Sequence, residues 1–209
     1  MKQSLLALHG AVLLFALSGL FAKWLNMSAI YIVVGRSFFA AITIALVIWL
    51  SKQQSLKIDK KVFWALFITG AVLAFHWASF FYAIQVSSVA IGLITFATFP
   101  VFVSFLEPLF FKEKFHYQAL IQALLTIVGI ALILPLETID NAQVTGALWG
   151  GLSALSFALL TLLNRKFVTQ VSAKKVALYQ NLFACVVLLP YVLFNPVIIS
   201  GLKTAVNKP

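Results

Sequence analysis

An all-α polytopic membrane protein of about seven transmembrane helices is the fold class that this sequence predicts. Three observations point to it. The composition is 63% hydrophobic and only 10% charged, with a mean hydropathy of +1.06, far outside the range of water-soluble domains. The chain contains apolar runs long enough to cross a hydrocarbon core about 30 Å thick, which takes about 20 residues of helix. Its basic residues fall in alternate connections between those runs, as expected of a chain that weaves through a membrane. A transmembrane β-barrel also satisfies every backbone group in lipid, but its strands would alternate apolar and polar residues, and these runs are apolar on all faces.

The runs extend over Leu5 to Leu25, Ile30 to Leu50, Val62 to Ile84, Val89 to Phe111, Tyr117 to Leu134, Gly146 to Leu163 and Val176 to Phe194. The first is longer than the apolar core of a signal peptide, about 7–15 residues, and no small-residue cleavage site follows it, so it is expected to remain as a span. Arg36 interrupts the second run. A charge at the bilayer centre costs about 2.5–3.5 kcal/mol on insertion scales, which makes Arg36 a candidate binding or gating cation facing the bundle interior. The alternative is an arginine that snorkels to the headgroups or serves packing. In the third run His76 is a candidate solute contact; alternatively it is a hydrogen-bonded histidine within an outer aromatic belt of Trp77, Phe80, Phe81 and Tyr82. Gly70, Ala74 and Ala78 of the same run, with Gly146 and Gly150 of the sixth, permit close approach between helix backbones.

The fourth run carries the densest pattern. Leu93, Ala97, Pro100, Ser104 and Glu107 recur at spacings of four and three residues and therefore share one helical face. A small residue, a helix breaker, a hydroxyl and a carboxylate together suit a cavity wall, because lipid would penalise them. Pro100 lacks the N–H that a helical turn needs, so it is expected to kink the span near mid-membrane and free a carbonyl beside the pathway. In the plainer alternative Pro100 only bends the helix for packing and Glu107 pairs with Lys112 or Lys114 at the interface. The seventh run holds Cys185, the sole cysteine, so no intramolecular disulfide forms.

A net charge of +10 would suggest nucleic acid in a soluble protein, but here the positions of the cations matter more. Lys2 precedes the first run; Lys52, Lys57, Lys60 and Lys61 follow the second; Lys112 and Lys114 follow the fourth; Arg165, Lys166, Lys174 and Lys175 follow the sixth. The connections after the first, third and fifth runs hold no Lys or Arg beyond Lys23 at the edge of the first, and the last of them carries Glu137 and Asp140. The amino terminus is therefore expected in the cytoplasm, and nucleic acid is not an expected partner. In that orientation Arg36 and His76 share a layer of the outer half, whereas His9 and Glu107 lie toward the cytoplasm.

The connections are too short to hold a soluble catalytic domain. The sequence contains no Gly-rich phosphate loop ending in Lys-Ser/Thr, no His-Glu-x-x-His and no Gly-x-Ser-x-Gly. Enzymatic activity, a cofactor and a bound metal are accordingly not expected. An internal echo is present: the segment Gly10 to Gly19 and the segment Gly150 to Ala158 share an Ala-Leu-Ser step, and Arg36-Ser37-Phe38-Phe39-Ala40 is answered by Gln180-Asn181-Leu182-Phe183-Ala184. A repeat unit of five helices would enter the membrane from opposite sides in its two copies, the inverted arrangement that carriers use for alternating access.

Taken together, Ala16-Leu17-Ser18-Gly19, Arg36, Pro100 followed by Lys112-Glu113-Lys114, and Gly129 resemble the drug/metabolite transporter superfamily and its EamA group of ten-helix carriers. The resemblance implies a first five-helix repeat in residues 1–136 and a partial second repeat in 146–209. It also implies a bacterial inner (plasma) membrane location and secondary transport of a small metabolite, amino acid or drug-like solute. Measured against ten helices, the chain is expected to be a truncated or partial carrier, with a non-transporting membrane subunit, scaffold or inactive fragment as the alternative. The expected partners are the lipid bilayer, a small-molecule solute and, as compensation for missing helices, a second copy in a homodimer. The expected pathway residues are Arg36, His76, Pro100, Ser104 and Glu107, with Glu113 left at the cytoplasmic surface.

Overall fold

The computed structural model describes residues 5–6, 8–10, 12–14, 17, 20, 24–25, 27–51, 56–115, 117–133, 140–169 and 171–194. Lys2, Ala16, Ser18, Gly19, Lys23, Lys52 and Glu137, and with them most of the first run and the opening of the repeat, lie outside these residues. From Ala29 onward the described residues form α1 (Ala29–Ser51), α2 (Lys60–Val86), α3 (Val89–Phe96), α4 (Phe99–Phe111), α5 (Tyr117–Ile133), α6 (Asn141–Phe167) and α7 (Ala173–Phe194). No strand occurs among them. α1, α2, α6, α7 and the continuous stretch Val89–Phe111 are each long and apolar enough to cross a membrane, and the apolar part of α5, Tyr117–Gly129, is shorter. Large apolar side chains cover the outside: Leu132 is 82% exposed, Leu109 77% and Trp49 73%. In water such a surface would drive aggregation, whereas against acyl chains it is the ordinary state. The chain is an all-helical polytopic membrane protein.

Two boundaries depart from the apolar runs. α6 begins at Asn141, ahead of Gly146, because Asp140 caps it: the Gln143 amide donates to Asp140 Oδ1 at 2.7 Å and the Val144 amide to its carbonyl at 3.1 Å. An apolar run cannot reveal a polar first turn. The fourth run, expected as one kinked helix, is two helices separated at Ala97 and Thr98. The connection between α2 and α3 is only Ser87 and Ser88, and Ser88 caps α3 by accepting the Ile91 amide at 3.1 Å. α4 ends at Lys112, whose left-handed backbone (φ 54°, ψ 31°) stops the helix.

The helices group into two compact units, Met1–Ala29 with Trp77–Ala158 and Ile30–His76 with Leu159–Pro209; α2 and α6 contribute to both. In the second of these, Phe183 of α7 is the wedge. Its ring meets Phe63 at 5.1 Å and Phe67 at 5.4 Å, and it packs with buried Leu66 and Val168. One turn away Leu178 packs with Ala41 and Ile48 of α1, so α7 is held against both neighbours. Gly70 makes this possible: a Cβ there would stand 2.7 Å from Phe183 Cβ and 3.1 Å from the Gln180 carbonyl. Tyr179 Oη donates to the Leu56 carbonyl at 2.6 Å, and Gln180 Nε2 donates to Asn164 Oδ1 of α6 at 2.7 Å. The other unit also packs through glycine. A Cβ on Gly150 would overlap the Thr95 hydroxyl, and one on Gly146 the Ser87 hydroxyl. α4 packs along α5.

Candidate functional site

The site begins with a missing hydrogen. Pro100 has no N–H, so the Phe96 carbonyl one turn back lacks its helical donor and α3 cannot run on unbroken. The chain makes a turn at Ala97 and Thr98, and the hydrogen bonding tightens across it: the Thr98 amide donates to the Thr95 carbonyl at 3.2 Å and the Val101 amide to the Thr98 carbonyl at 2.9 Å. Pro100 then sits in the first turn of α4, where an N–H would be idle in any case. Two threonines bridge the break, Thr95 Oγ1 donating to the Ile91 carbonyl at 2.7 Å and Thr98 Oγ1 to the Thr95 carbonyl at 2.6 Å. At about 1.5 Å per residue, α3 carries the break about 12 Å into a core about 30 Å thick. Ala97 (φ −61°, ψ −9°) and Thr98 (φ −75°, ψ −10°) keep right-handed helical backbone, so the span is interrupted in its hydrogen bonding rather than unwound.

Aromatic rings and a glycine fix this break in place. Phe96 stacks on Phe99 at 5.4 Å, both meet Phe157 of α6 edge-on at 5.4 and 5.1 Å, and Phe80 of α2 meets Phe96 at 5.4 Å. Thr95 rests on the bare backbone of Gly150. Below the break Ser104 is buried and its Oγ donates to the Pro100 carbonyl at 2.8 Å. A second proline, Pro108, withholds the donor that the Ser104 carbonyl would have received, so α4 is weakened within its own length. Glu107, immediately before Pro108, is partly buried. Pro100, Ser104 and Glu107 thus stay together on α4. Leu93, across the break on α3, is exposed.

In the other unit the candidates are Arg36 and His76. Arg36 is partly buried in α1 and His76 is fully buried in α2. The belt expected around His76 does not form: Phe80 and Phe81 are each 1% exposed and Trp77 is buried, leaving Tyr82, 41% exposed, facing outward. These rings pack on one another, Trp77 stacking on Phe81 at 5.5 Å. Sequence reasoning missed Ser37, wholly buried beside Arg36 with no hydrogen-bond partner for its hydroxyl among the described residues. It also missed the Gln180–Asn164 pair, although two amides on apolar helices were signal enough. Among the described residues no three His, Cys, Asp or Glu stand together as a metal set.

Comparison with known proteins agrees with this architecture. The model of the EamA-like transporter family matches residues 2–134. An uncharacterized transporter of Bacillus subtilis (strain 168), YxxF, is 24% identical over 190 residues, covering 88% of this chain and 60% of the relative. The S-adenosylmethionine uptake transporter of Rickettsia felis is 26% identical over 156 residues, covering 74% of this chain and 51% of the relative. Its counterpart in Rickettsia prowazekii is 25% identical, with coverage of 74% and 51%. The chain therefore spans between half and three fifths of the length of these relatives. No solved structure matches.

Proposed function

The chain belongs to the EamA-like transporter family, and from that premise we propose that it is a secondary carrier, moving a small anionic or zwitterionic metabolite across a bacterial inner membrane by alternating access. The observation that carries the reading is the break at Ala97 and Thr98 near the middle of an otherwise continuous span. Broken helices are tolerated at membrane depth where they line a protein cavity, and carriers place their solutes at such points. In one unit Pro100, Ser104 and Glu107 would line a path beside the break; in the other Arg36 and His76 would offer a cation and a hydrogen-bonding ring. Residues 1–136 would form a first five-helix repeat and 146–209 part of an inverted second one. The name of the Rickettsia relatives makes S-adenosylmethionine the first solute to test: its amino-acid end is zwitterionic, with a carboxylate that Arg36 suits, and its sulfonium adds a further positive charge.

The test is uptake of radiolabelled S-adenosylmethionine and amino acids into proteoliposomes without ATP, at a protein density that lets copies associate. Saturable uptake above protein-free vesicles supports a carrier. Correctly inserted protein that moves none of these solutes favours a non-transporting membrane subunit or scaffold. In the same assay Glu107→Gln should lower uptake about tenfold or flatten its pH profile, if the carboxylate exchanges a proton during the cycle. Unchanged rates across mildly acidic to mildly alkaline pH would leave Glu107 as an interfacial ion-pair partner.

Orientation is checked separately in a Cys185→Ser background. Lys57→Cys and Lys174→Cys should resist a membrane-impermeant thiol reagent in intact cells while Ala142→Cys reacts, because the basic connections face the cytoplasm. External labelling at Lys57→Cys would reverse the orientation and with it the outer placement of Arg36.

A further inference from the structure

We propose that the basic end of the unit containing α7 binds an anionic phospholipid, its headgroup held by lysines and its chains laid along α2 and α6. Two adjoining hollows meet there, of about 700 Å³ and 520 Å³, sharing Asp59, Val62 and Val171. Four lysines line them, Lys57 and Lys175 in the first and Lys61 and Lys166 in the second, against the single carboxylate of Asp59. The Lys175 ammonium reaches the Lys57 carbonyl at 3.4 Å, which brings these two cations to one rim.

The second hollow is mixed in character. Beside its lysines the wall is mostly apolar, formed by Trp64, Ala65 and Ile68 of α2 and by Leu163 and Phe167 of α6, with the hydroxyls of Thr69 and Thr169 among them. Trp64 and Ile68 are each 53% exposed, so this wall continues into the lipid-facing surface of the protein. A soluble anion would use the lysines and leave the apolar wall unmatched. A zwitterionic lipid would use the wall and leave an excess of positive charge. Only an amphiphile with an anionic head matches both, and juxtamembrane lysine clusters attract such lipids at about tenfold or less per residue. The inference does not depend on the chain being a carrier, only on its lying in a membrane.

Delipidated full-length protein in neutral detergent, exposed to phosphatidylglycerol or phosphatidylcholine and examined by native mass spectrometry, tests it. Phosphatidylglycerol should remain bound at least fivefold more than phosphatidylcholine. Lys57→Gln/Lys175→Gln should cut that retention roughly tenfold or more. Lys61→Gln/Lys166→Gln, a second variant at the same site, should act in the same direction. Lys112→Gln/Lys114→Gln, the same charge change at the end of α4, should leave it as in the parent. Helical content by circular dichroism checks that each variant is folded. Equal retention of the two lipids, parent-level retention in both pocket variants, or complete displacement by soluble glycerol phosphate would overturn the proposal, the last showing a site for free anions.

Discussion

Leucine in place of Gly70 is expected to leave no folded, monodisperse protein after detergent extraction. The Cβ alone would meet Phe183 Cβ at 2.7 Å and the Gln180 carbonyl at 3.1 Å, and a backbone carbonyl cannot rotate away as a side chain does. Phe183 is the residue on which α7 is seated, so displacing it also opens the Leu66 and Val168 core. Alanine is the graded case. It gains about 1 kcal/mol of helix propensity over glycine but overpacks at a cost of about 1–3 kcal/mol. The net should lower the unfolding midpoint by a few degrees, at about 2–4 °C per kcal/mol for a chain of this size. Gly35 and Gly151 have open space at the Cβ position, and alanine there should be neutral or stabilising. Equal tolerance at Gly70 and Gly151 would show that the close approach of α2 and α7 is not what holds this unit together.

Arg36→Ala should reduce uptake of a carboxylate-bearing solute about 10- to 100-fold, the equivalent of one charge-assisted hydrogen-bonded contact of about 1.5–3 kcal/mol. Lysine keeps the charge but loses the planar two-pronged donor, so Arg36→Lys should recover part of the loss. The neighbouring Ser37 hydroxyl is buried without a partner among the described residues. Ser37→Ala should weaken uptake without harming stability, since it removes no hydrogen bond among the described residues. A folded Arg36→Ala protein that transports at the parent rate would leave the arginine as a packing or interfacial residue.

Much of this architecture was legible in the sequence, for a physical reason: lipid demands long apolar helices, and length and composition are sequence properties. α1, α2 and α7 begin and end within a few residues of their apolar runs. The small residues at Gly70, Gly146 and Gly150 do mark close helix contacts. What failed was the assignment of faces. In a helix that is apolar all round, the pattern does not say which side meets protein, so Phe80 and Phe81 passed for a belt although both are core. Pro100 announced a disturbance, but its extent depended on Thr95, Thr98 and the rings of Phe99 and Phe157, whose cooperation exists only after folding. Gln180 and Asn164 stood out as amides on apolar helices, but that they pair with each other depends on how two helices pack.

The central claim is that the break in the fourth span borders a water-accessible cavity. Thr98→Cys in the Cys185→Ser background measures it directly through reaction with a small hydrophilic thiol reagent in reconstituted vesicles. Only the thiolate reacts, and a cysteine in lipid or dry packing remains a thiol. The cysteine should therefore modify readily, and a transported solute should slow it. Phe105→Cys, at an exposed apolar position of α4 that lipid would cover, should stay inert. No reaction at position 98 in folded protein, with or without solute, would contradict the account and leave the break as a feature of packing.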